Sequence, residues 1–408
     1  MTLTLIPIAL GAVGLELWGK KVGDCRVRLR TDQISEKTLY YADHNHACLR
    51  FAIPFTNSGR QQALLIDAHA HLQPAGDKFS ALQPVCRWIN PEVPRTDGYW
   101  EACIIKPGGQ LLTYVELWLS AADIRAVLEK ELGKVRFDCH FKYYGRSPMH
   151  YERVELVLDF NSFREVEDAP TQEVVGETPP KKSDPKGSVV PLRTRLLRPG
   201  DDLVELVAEH VKGLGKPGDI VALAETVVAI CQGRVAYCED IKPRYLATRL
   251  NKLFDMNSSL SSVYALEMAF REVGVAKILV SMAAGVIGKL RGKPGEFYRL
   301  AGRAVATIDD CTGTLPPFDK HVVMGPARGD ALVAEIKAKT GLEATIVDAN
   351  DLGKVDVLHL SDPTRHDEVV EALKPNPQGN AGEMTPLVLI RSKKPAPAPK
   401  PVPAASKN

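Results

Sequence analysis

The stretch that decides the fold is RTRLLRPGDDLVELVAEHVKGLGKPGDIVALAETVVAICQGR, residues 193–234. Pro199-Gly200 predicts a turn, and Asp201 and Asp202 then supply the negative charge that a helix N-terminus favours. The apolar residues that follow recur at helical spacing, and glycines end the pattern. These apolar positions are Leu203, Leu206, Val207 and Val211. The pattern therefore predicts a turn followed by an amphipathic helix.

A buried strand is predicted after this helix. Ile220 to Ala224 is a short, unbroken apolar run, which is typical of a strand covered on both faces. Glu225 and Thr226 interrupt the apolar sequence before Val227 to Ile230 resume it. A polar pair set into a buried strand costs free energy unless something binds there. We therefore interpret Glu225 and Thr226 as candidate ligand-binding residues.

Three segments in this order, RLLRPGDDLVEL, GDIV and ETVVAICQGR, resemble the start of the coenzyme F-420 gamma-glutamyl ligase family. The resemblance continues to about Arg391 and does not extend to residues 1–190. Enzymes of that family use GTP and a divalent metal to join glutamate to a coenzyme precursor through an amide bond. The resemblance therefore implies a mixed α/β ligase domain over residues 190–391, with Mg or Mn as cofactor and GTP as co-substrate.

The resemblance also implies roles for particular residues. Residues before the first turn, and the polar pair after the buried strand, contact the nucleotide in the family. The matching positions are Arg195, Leu196, Leu197, Glu225 and Thr226. The family's metal-binding acids are matched by Asp309 in IDDCT and by Asp348 in VDAN.

The residues around these two acids support the same interpretation. Arg303 to Ile308 and Glu343 to Val347 each predict a strand that ends at a carboxylate. Two carboxylates at strand ends can share one hard cation, and oxygen ligands suit Mg or Mn. The alternative is that these acids only begin turns, as Asp often does.

Two departures from the family pattern point to a second function. Where the family has a lysine before its A-E-G-R, this chain has Ile230, which cannot supply a charge to phosphate. The segment from Asp351 to Asn380 is also shorter than the family's. These departures favour a non-catalytic descendant that binds a ligand or a protein through the same cleft.

The N-terminal half has a different pattern of apolar and polar residues. Seven strand-like runs alternate with turn signals, which predicts an antiparallel β-sandwich over residues 24–165. The runs are Cys25–Leu29, Ala47–Phe55, Ala63–Leu72, Glu101–Ile105, Gln110–Trp118, Val135–Tyr144 and Tyr151–Phe160. One helix is predicted from Ala121 to Leu132, with Ser120 as its N-cap. The whole chain is therefore predicted to be an α+β protein.

His69 and His71 form an H-x-H motif on one of these strands. Both side chains face one side of the strand, as two metal ligands must. The motif resembles the start of an amidohydrolase barrel, but the surrounding runs are those of β-hairpins. Metal-dependent hydrolysis at this motif is one interpretation. The alternative is two histidines on the polar face of an amphipathic strand.

Three further segments complete the domain plan. Residues 1–20 are largely apolar, so they predict a membrane anchor, an interfacial helix or a core element. If they span a membrane, Lys20 and Lys21 put the rest of the chain on its cytoplasmic side. Residues 166–189 predict a flexible linker, and residues 392–408 predict a disordered tail rich in Pro, Ala and Lys.

The composition of the chain indicates which classes of partner it can bind and in which compartment it works. The net charge of +2 gives no basic field for nucleic acid. The eight cysteines include no C-x-x-C pair, which predicts reduced thiols and a cytoplasmic protein. We expect a nucleotide and a small carboxylate or amine as partners, and a homodimer stays open.

Overall fold

The computed structural model describes residues 2–73, 82–93, 95, 97–131, 133–168, 187–310, 314–350, 352–379 and 382–392. Residues 169–186 of the predicted linker (166–189) and all but the first residue of the predicted tail (392–408) lie outside these ranges, so both stay predictions. The described ends of the linker meet strands, because Val166 ends one strand and Val189 begins another. The described residues form a β-rich N-terminal part and a mixed α/β C-terminal part, as the sequence predicted.

The N-terminal part contains one long leading helix, ten described strands and one short helix. These elements are α1 (Thr2–Val22), β1 (Val27–Leu29), β2 (Ser35–Tyr41), β3 (His46–Asn57), β4 (Ala63–Gln73), β5 (Val85–Ile89), β6 (Cys103–Ile105), β7 (Gln110–Ser120), α2 (Ile124–Glu131), β8 (Lys134–Tyr144), β9 (His150–Asp159) and β10 (Arg164–Val166). One sheet has the order β10-β2-β3-β7-β5, with β1 also paired to β3, and the other has the order β6-β4-β8-β9. Every pairing is antiparallel except that of β10 with β2.

Aromatic side chains join the two sheets. Phe51 and Phe55 of β3 are fully buried and face Phe137 and Phe141 of β8. The ring centroids of Phe51 and Phe137 are 5.5 Å apart, those of Phe55 and Phe141 are 5.1 Å apart, and both pairs are edge-to-face. Such contacts add to the free energy gained by burying the rings. The alternation seen in the sequence thus becomes the inner face of a sandwich.

All seven predicted strands are present, but the sequence missed β2, β5 and β10. Those strands carry polar residues on both faces or are very short, so their alternation is weak. The predicted helix cap is wrong: Ser120 is the last residue of β7, and the side chain of Asp123 accepts from the N–H of Ala126 at 3.1 Å. Ser120 belongs to the sheet rather than to the helix cap, because it pairs with His46 of β3.

The C-terminal part contains a five-stranded sheet, a two-stranded ribbon and nine described helices. Its elements are β11 (Val189–Leu192), α3 (Leu203–Val211), β12 (Ile220–Ala224), α4 (Glu225–Cys231), β13 (Val235–Tyr237), α5 (Tyr245–Leu250), α6 (Val263–Val273), α7 (Val275–Leu290), α8 (Glu296–Ala301), α9 (Arg303–Ala306), β14 (His321–Val323), α10 (Gly329–Thr340), β15 (Glu343–Ala349), β16 (Val355–Leu360), α11 (His366–Leu373) and β17 (Leu387–Ile390). The main sheet has the order β11-β17-β12-β15-β16, and only β12 and β15 are parallel. Helices α3 and α10 share one hydrophobic core with this sheet, and α11 shares another.

The turn and the amphipathic helix that were predicted in residues 193–234 are both present. Asp202 caps α3, and its carboxylate accepts from the N–H groups of Val204 and Glu205. Asp201 lies between the Arg195 guanidinium, at 2.8 Å, and the N–H of Arg198. These contacts lower the pKa of Asp201 to about 2. The turn before α3 is therefore held by charge-assisted hydrogen bonds.

Two strand predictions in this half are wrong. The chain does not resume a strand after Glu225; Glu225–Cys231 is helix α4, whose residues Val228 to Cys231 are buried. The segment before Asp309 is likewise a short helix, α9, in which the Thr307 hydroxyl donates to the carbonyl of Arg303. In both cases a short apolar run fits a buried helical turn as well as it fits a strand.

Helix α7 settles another ambiguity. The sequence of the apolar run Ala276 to Val286 fits a buried strand or a helix equally well, and the run lies within the helix Val275–Leu290. Most of that helix is exposed, with only Ile278, Ser281 and Gly288 buried. Among the described residues, no single helix is long and apolar enough to cross a membrane, although α6 and α7 pass that test as a pair bent by 113°.

The two parts pack against each other. Tyr144 of β8 contacts Tyr264 of α6, with ring centroids 4.9 Å apart. Asp319, only 2% exposed, accepts from the Tyr99 hydroxyl at 2.7 Å and from the N–H of Ala102 at 2.9 Å. Helix α1 joins the same assembly, because Glu16 forms an ion pair of 2.6 Å with Arg249.

The cysteines need one correction. Cys25, Cys48, Cys86, Cys103, Cys139 and Cys231 are free thiols. Cys238 is disulfide-bonded, so the expectation of reduced thiols throughout is wrong at this position. The residue is fully buried in the core that α5 to α9 form.

We expect Asp319→Ala to destabilise the protein. The change removes the acceptor of a partly buried hydroxyl and a partly buried N–H, which costs about 1–3 kcal/mol in the free energy of unfolding. Tyr99→Phe removes only one of the two bonds and should cost less. The control is Asp367→Ala, at a fully exposed carboxylate, with an expected effect within about 0.5 kcal/mol. Urea denaturation midpoints measure these changes, and equal midpoints for Asp319→Ala and the control would contradict the assignment.

Candidate functional site

A cavity of about 310 Å³ opens where β12 and β15 end. The turn before α3 forms one wall, and residues of the segments 314–318, 378–379 and 384–386 form others. All seven residues that the sequence singled out line this one cavity: Arg195, Leu196, Leu197, Glu225, Thr226, Asp309 and Asp348. Their assignment to nucleotide and metal stays a prediction, but the fold does bring them together.

Three carboxylates enter the cavity from three different elements. Glu225 is the first residue of α4, and Asp348 is the last but one residue of β15. Asp309 follows α9 and forms an isolated β-bridge with Val323, exchanging backbone hydrogen bonds of 2.9 and 3.1 Å. The Ser259 hydroxyl donates to the Asp309 carboxylate at 3.0 Å. Each acid is therefore fixed by regular backbone structure.

Glu225 is the most perturbed of the three. Burial, together with the nearby charges of Asp348 and Asp309, raises the pKa of its carboxyl to about 8. Its Oε1 atom is buried and has no hydrogen-bond partner. A buried carboxylate oxygen without a partner is costly. This atom is therefore placed to contact a bound group.

The other two acids are perturbed in the same direction. Their side chains are open to the cavity, but the surrounding protein limits their hydration. Burial raises the pKa of Asp309 to about 6, against the hydrogen bond from Ser259. Burial also raises the pKa of Asp348, and the carboxylate of Asp356 adds to that effect. The two residues are directly opposite in the pairing of β15 with β16.

The cationic groups near the cavity are already engaged. Arg195 is the one basic residue among the described lining residues, and its guanidinium binds Asp201. The Arg303 guanidinium binds Asp356 at 3.1 Å and the carbonyl of Leu358 at 3.2 Å. Ile230 lines the cavity at the position of the family's lysine. The described cavity therefore has an excess of negative charge.

A divalent cation fits this charge distribution. The donors are carboxylate oxygens, which hard ions such as Mg²⁺ and Mn²⁺ prefer. One of those oxygens, on Glu225, has no other partner. In the described part of the chain, no group of three His, Cys, Asp or Glu side chains is arranged so that it could hold a metal ion. A cation at this site would therefore require the carboxylates to move toward it, and the metal stays a prediction.

The roof of the cavity was missed by the sequence analysis. The side-chain amide of Gln378 donates to the carbonyl of Pro386 at 3.0 Å, and the Thr385 hydroxyl donates to the carbonyl of Gln378 at 2.8 Å. The N–H of Ala224 also donates to the carbonyl of Pro386, at 2.9 Å. Because these residues lie in an irregular segment, neither periodicity nor a motif indicates them.

Part of the C-terminal half is similar to a known protein family. Residues 191–349 match the family F420-0:Gamma-glutamyl ligase. This range contains all seven candidate residues and confirms the resemblance that the three motifs carried. Coenzyme F420:L-glutamate ligase of Methanopyrus kandleri is 43% identical over 61 residues, a match that covers 15% of this chain and 23% of that protein. The matched part of the chain thus spans about a quarter of the relative's length.

Solved structures similar to this chain cover about a third of it. The putative ApaA protein of Bordetella pertussis is 8% identical and covers 34% of this chain and 96% of that chain, with a TM-score of 0.19. A protein from Archaeoglobus fulgidus is 13% identical and covers 33% of this chain and 97% of that chain, with a TM-score of 0.18. Similarities at this level support no conclusion about function.

We expect Glu225→Gln to stabilise the metal-free protein at alkaline pH. The folded-state pKa of about 8 lies above the ordinary value of 4.5, so the unfolded chain releases this proton first. Stability therefore falls as pH rises from about 4.5 to about 8. Gln carries no charge, so the variant should gain on the order of 2 kcal/mol over the unmodified protein near pH 8 and little near pH 4.5.

Thermal unfolding in EDTA at a series of pH values measures this difference. Glu335→Gln, at an exposed glutamate on α10, serves as the control and should follow the unmodified protein. A variant of Glu225 whose melting temperature follows that of the unmodified protein at every pH would show that Glu225 is not held at a raised pKa.

Proposed function

We propose that the C-terminal domain is a GTP- and divalent-metal-dependent amide ligase whose acceptor is not yet known. The observation that carries the proposal is the meeting of Glu225, Asp309 and Asp348 at one cavity inside the family-matched range. The match to a gamma-glutamyl ligase family supports the type of reaction. GTP and the metal come from the resemblance, and the acidic cavity supports the metal.

The proposed reaction has two steps. A carboxylate oxygen of one substrate attacks the terminal phosphorus of GTP, which forms an acyl phosphate and releases GDP. An amine then attacks the acyl carbon, the amide bond forms, phosphate leaves, and the nitrogen loses a proton to solvent. A bound Mg or Mn ion would offset the charge of the phosphates.

In the proposed enzyme, different residues of this chain bind the cation and the nucleotide. Asp309 and Asp348 would hold the cation, and Glu225 would supply a third oxygen from the start of α4. The turn formed by Arg195, Leu196 and Leu197, with Thr226 next to it, would contact the nucleotide. Arg195 positions this turn through its ion pair with Asp201. We place the reaction in the cytoplasm, with a small carboxylate and a small amine as the other substrates.

A second candidate is a non-catalytic domain that binds a ligand in the same cavity. It is favoured by Ile230, which brings an apolar side chain to the position of the family's lysine. It is also favoured by Arg195, whose guanidinium is already bound to Asp201 and so is less free to contact phosphate.

Metal should raise the melting temperature of the unmodified protein, and Asp309→Asn or Asp348→Asn should abolish that shift. Each variant removes one ligand, while the loss of one of several mutually repelling charges costs the metal-free fold little. The expected size follows from the metal concentration relative to its dissociation constant. Thermal unfolding with and without Mg²⁺ or Mn²⁺ measures it. No shift in the unmodified protein would contradict the metal site.

Asp310→Asn is the matched control. Asp310 is adjacent in sequence but lines a different cavity, beside Arg146 and Gln61. Its replacement should leave the metal-dependent shift largely in place. Loss of the shift in all three variants would instead indicate general damage to the segment.

Nucleotide binding separates the two candidate functions. Calorimetry on the whole chain should show GTP binding that requires metal and that is stronger than ATP binding. Release of GDP that depends on an added carboxylate and amine would support the ligase. Binding of GTP without any turnover would support the non-catalytic domain, and no binding of GTP would contradict the proposed nucleotide site.

A further inference from the structure

Three histidines meet on the outer face of the four-stranded sheet. His69 and His71 lie two residues apart on β4, so both side chains leave the same face. His140 of β8 is directly opposite His69 in the antiparallel register. The ring centroids are 5.0 Å apart for His69 and His71, 5.1 Å for His69 and His140, and 5.8 Å for His71 and His140. We call these residues the histidine triangle.

These separations are close to those of three imidazoles on one metal ion. A Zn²⁺ ion binds a ring nitrogen at about 2.0–2.1 Å, which puts it about 3 Å from the ring centroid. Three ligands of a tetrahedral ion then have centroids about 5 Å from one another. The backbone register therefore places the three rings at a suitable spacing.

The rings must turn before they can share an ion. The planes of His69 and His140 are nearly parallel, at 6°, and His71 is inclined to them by 66–67°. None of the described residues already forms a three-ligand group around a metal position. Rotation of a histidine ring about χ2 has a broad energy minimum, so this rearrangement costs little. The Cβ positions, which the sheet fixes, need not move.

Two of the rings have a second partner of the kind that orients a metal ligand. The Nδ1 atom of His140 is hydrogen-bonded to the Tyr151 hydroxyl of β9. The Nδ1 atom of His69 lies 3.7 Å from a carboxylate oxygen of Asp67. Histidines that bind metals usually engage their other nitrogen in this way.

The nearby charges do not exclude a cation. Lys142 is bound to Glu239 at 2.8 Å, and Arg153 is bound to Asp138 at 2.8 Å. The His69 side chain is 40% exposed, so an ion can reach it from solvent.

We propose that the histidine triangle is a binding site for a divalent transition-metal ion, with Zn²⁺ as its reference ligand. His69, His71 and His140 supply three nitrogen ligands, and a water molecule completes a tetrahedral shell. This site is separate from the carboxylate cavity in chemistry, because imidazole selects Zn²⁺, Cu²⁺ or Ni²⁺ and carboxylate oxygens select Mg²⁺ or Mn²⁺. Its open fourth position faces solvent.

The test is Zn²⁺ binding to the whole chain, measured by calorimetry with Mg²⁺ in excess to occupy the carboxylate cavity. The unmodified protein should bind one Zn²⁺ ion per chain at this site. His69→Gln, His71→Gln and His140→Gln should each weaken binding by at least about tenfold, because each removes one nitrogen ligand. Cu²⁺ should give an electron paramagnetic resonance spectrum with imidazole nitrogen couplings that these variants change.

Two control variants show whether the bound Zn²⁺ belongs to the histidine triangle. His150 also lies on the sandwich, but its ring stacks on Tyr143, with centroids 5.0 Å apart, and is not part of the triangle. His150→Gln and Asp348→Asn should bind Zn²⁺ as the unmodified protein does. Melting in EDTA shows whether each variant is folded.

Three results would overturn the proposal: no Zn²⁺ binding by the unmodified protein, binding that all three triangle variants retain, or binding that only Asp348→Asn abolishes. The first two outcomes leave the three histidines as a polar sheet face. The third assigns the Zn²⁺ to the carboxylate cavity. None of these outcomes depends on GTP binding or ligase activity, so the two proposals fail separately.

Discussion

The parallel pairing of β12 with β15 is the constraint on which the candidate site depends. Its register joins Ile220 to Glu343 and Ala224 to Val347, so the next residues, Glu225 and Asp348, emerge at the same edge of the sheet. The antiparallel strand β17 pairs with the other side of β12 and begins at that edge, which brings the roof segment over the cavity. A shift of register in β12 would separate the two acids and turn buried side chains toward the other face.

The grouping of the three carboxylates lowers the stability of the metal-free protein and favours the binding of a cation. Burial raises the pKa of all three carboxyls, and repulsion from neighbouring carboxylates adds to the effect, so their ionised forms destabilise the fold near neutral pH. The fold tolerates this unfavourable electrostatic energy because the acids are attached to well-packed strands. Strand β12 is almost completely buried, and so is most of β15. A divalent cation would reverse the sign of the interaction, since each carboxylate would then gain a partner.

Sequence reasoning identified the participants in the site better than it identified their local structure. Glu225 was singled out as an interruption in a strand, but it begins a helix, because a four-residue apolar run cannot distinguish the two. Asp309 was placed at a strand end and in fact follows the helix α9. Asp348 was placed correctly, because β15 is long and bounded by clear turn signals. Gln378 and His140 were missed as partners, since their roles depend on tertiary contacts that no local pattern encodes.

The β-sandwich has a structural connection to the site that the sequence did not indicate. Asp309 is not on the main sheet; its backbone is held by Val323 of β14, within the short segment that starts at Phe318. Asp319 in that segment is itself buried and accepts hydrogen bonds from Tyr99 and Ala102 of the sandwich. A buried carboxylate with two partners fixes its backbone closely, because release would leave polar groups unpaired. The N-terminal part therefore braces, through Asp319 and β14, the one site carboxylate that the parallel strands do not position.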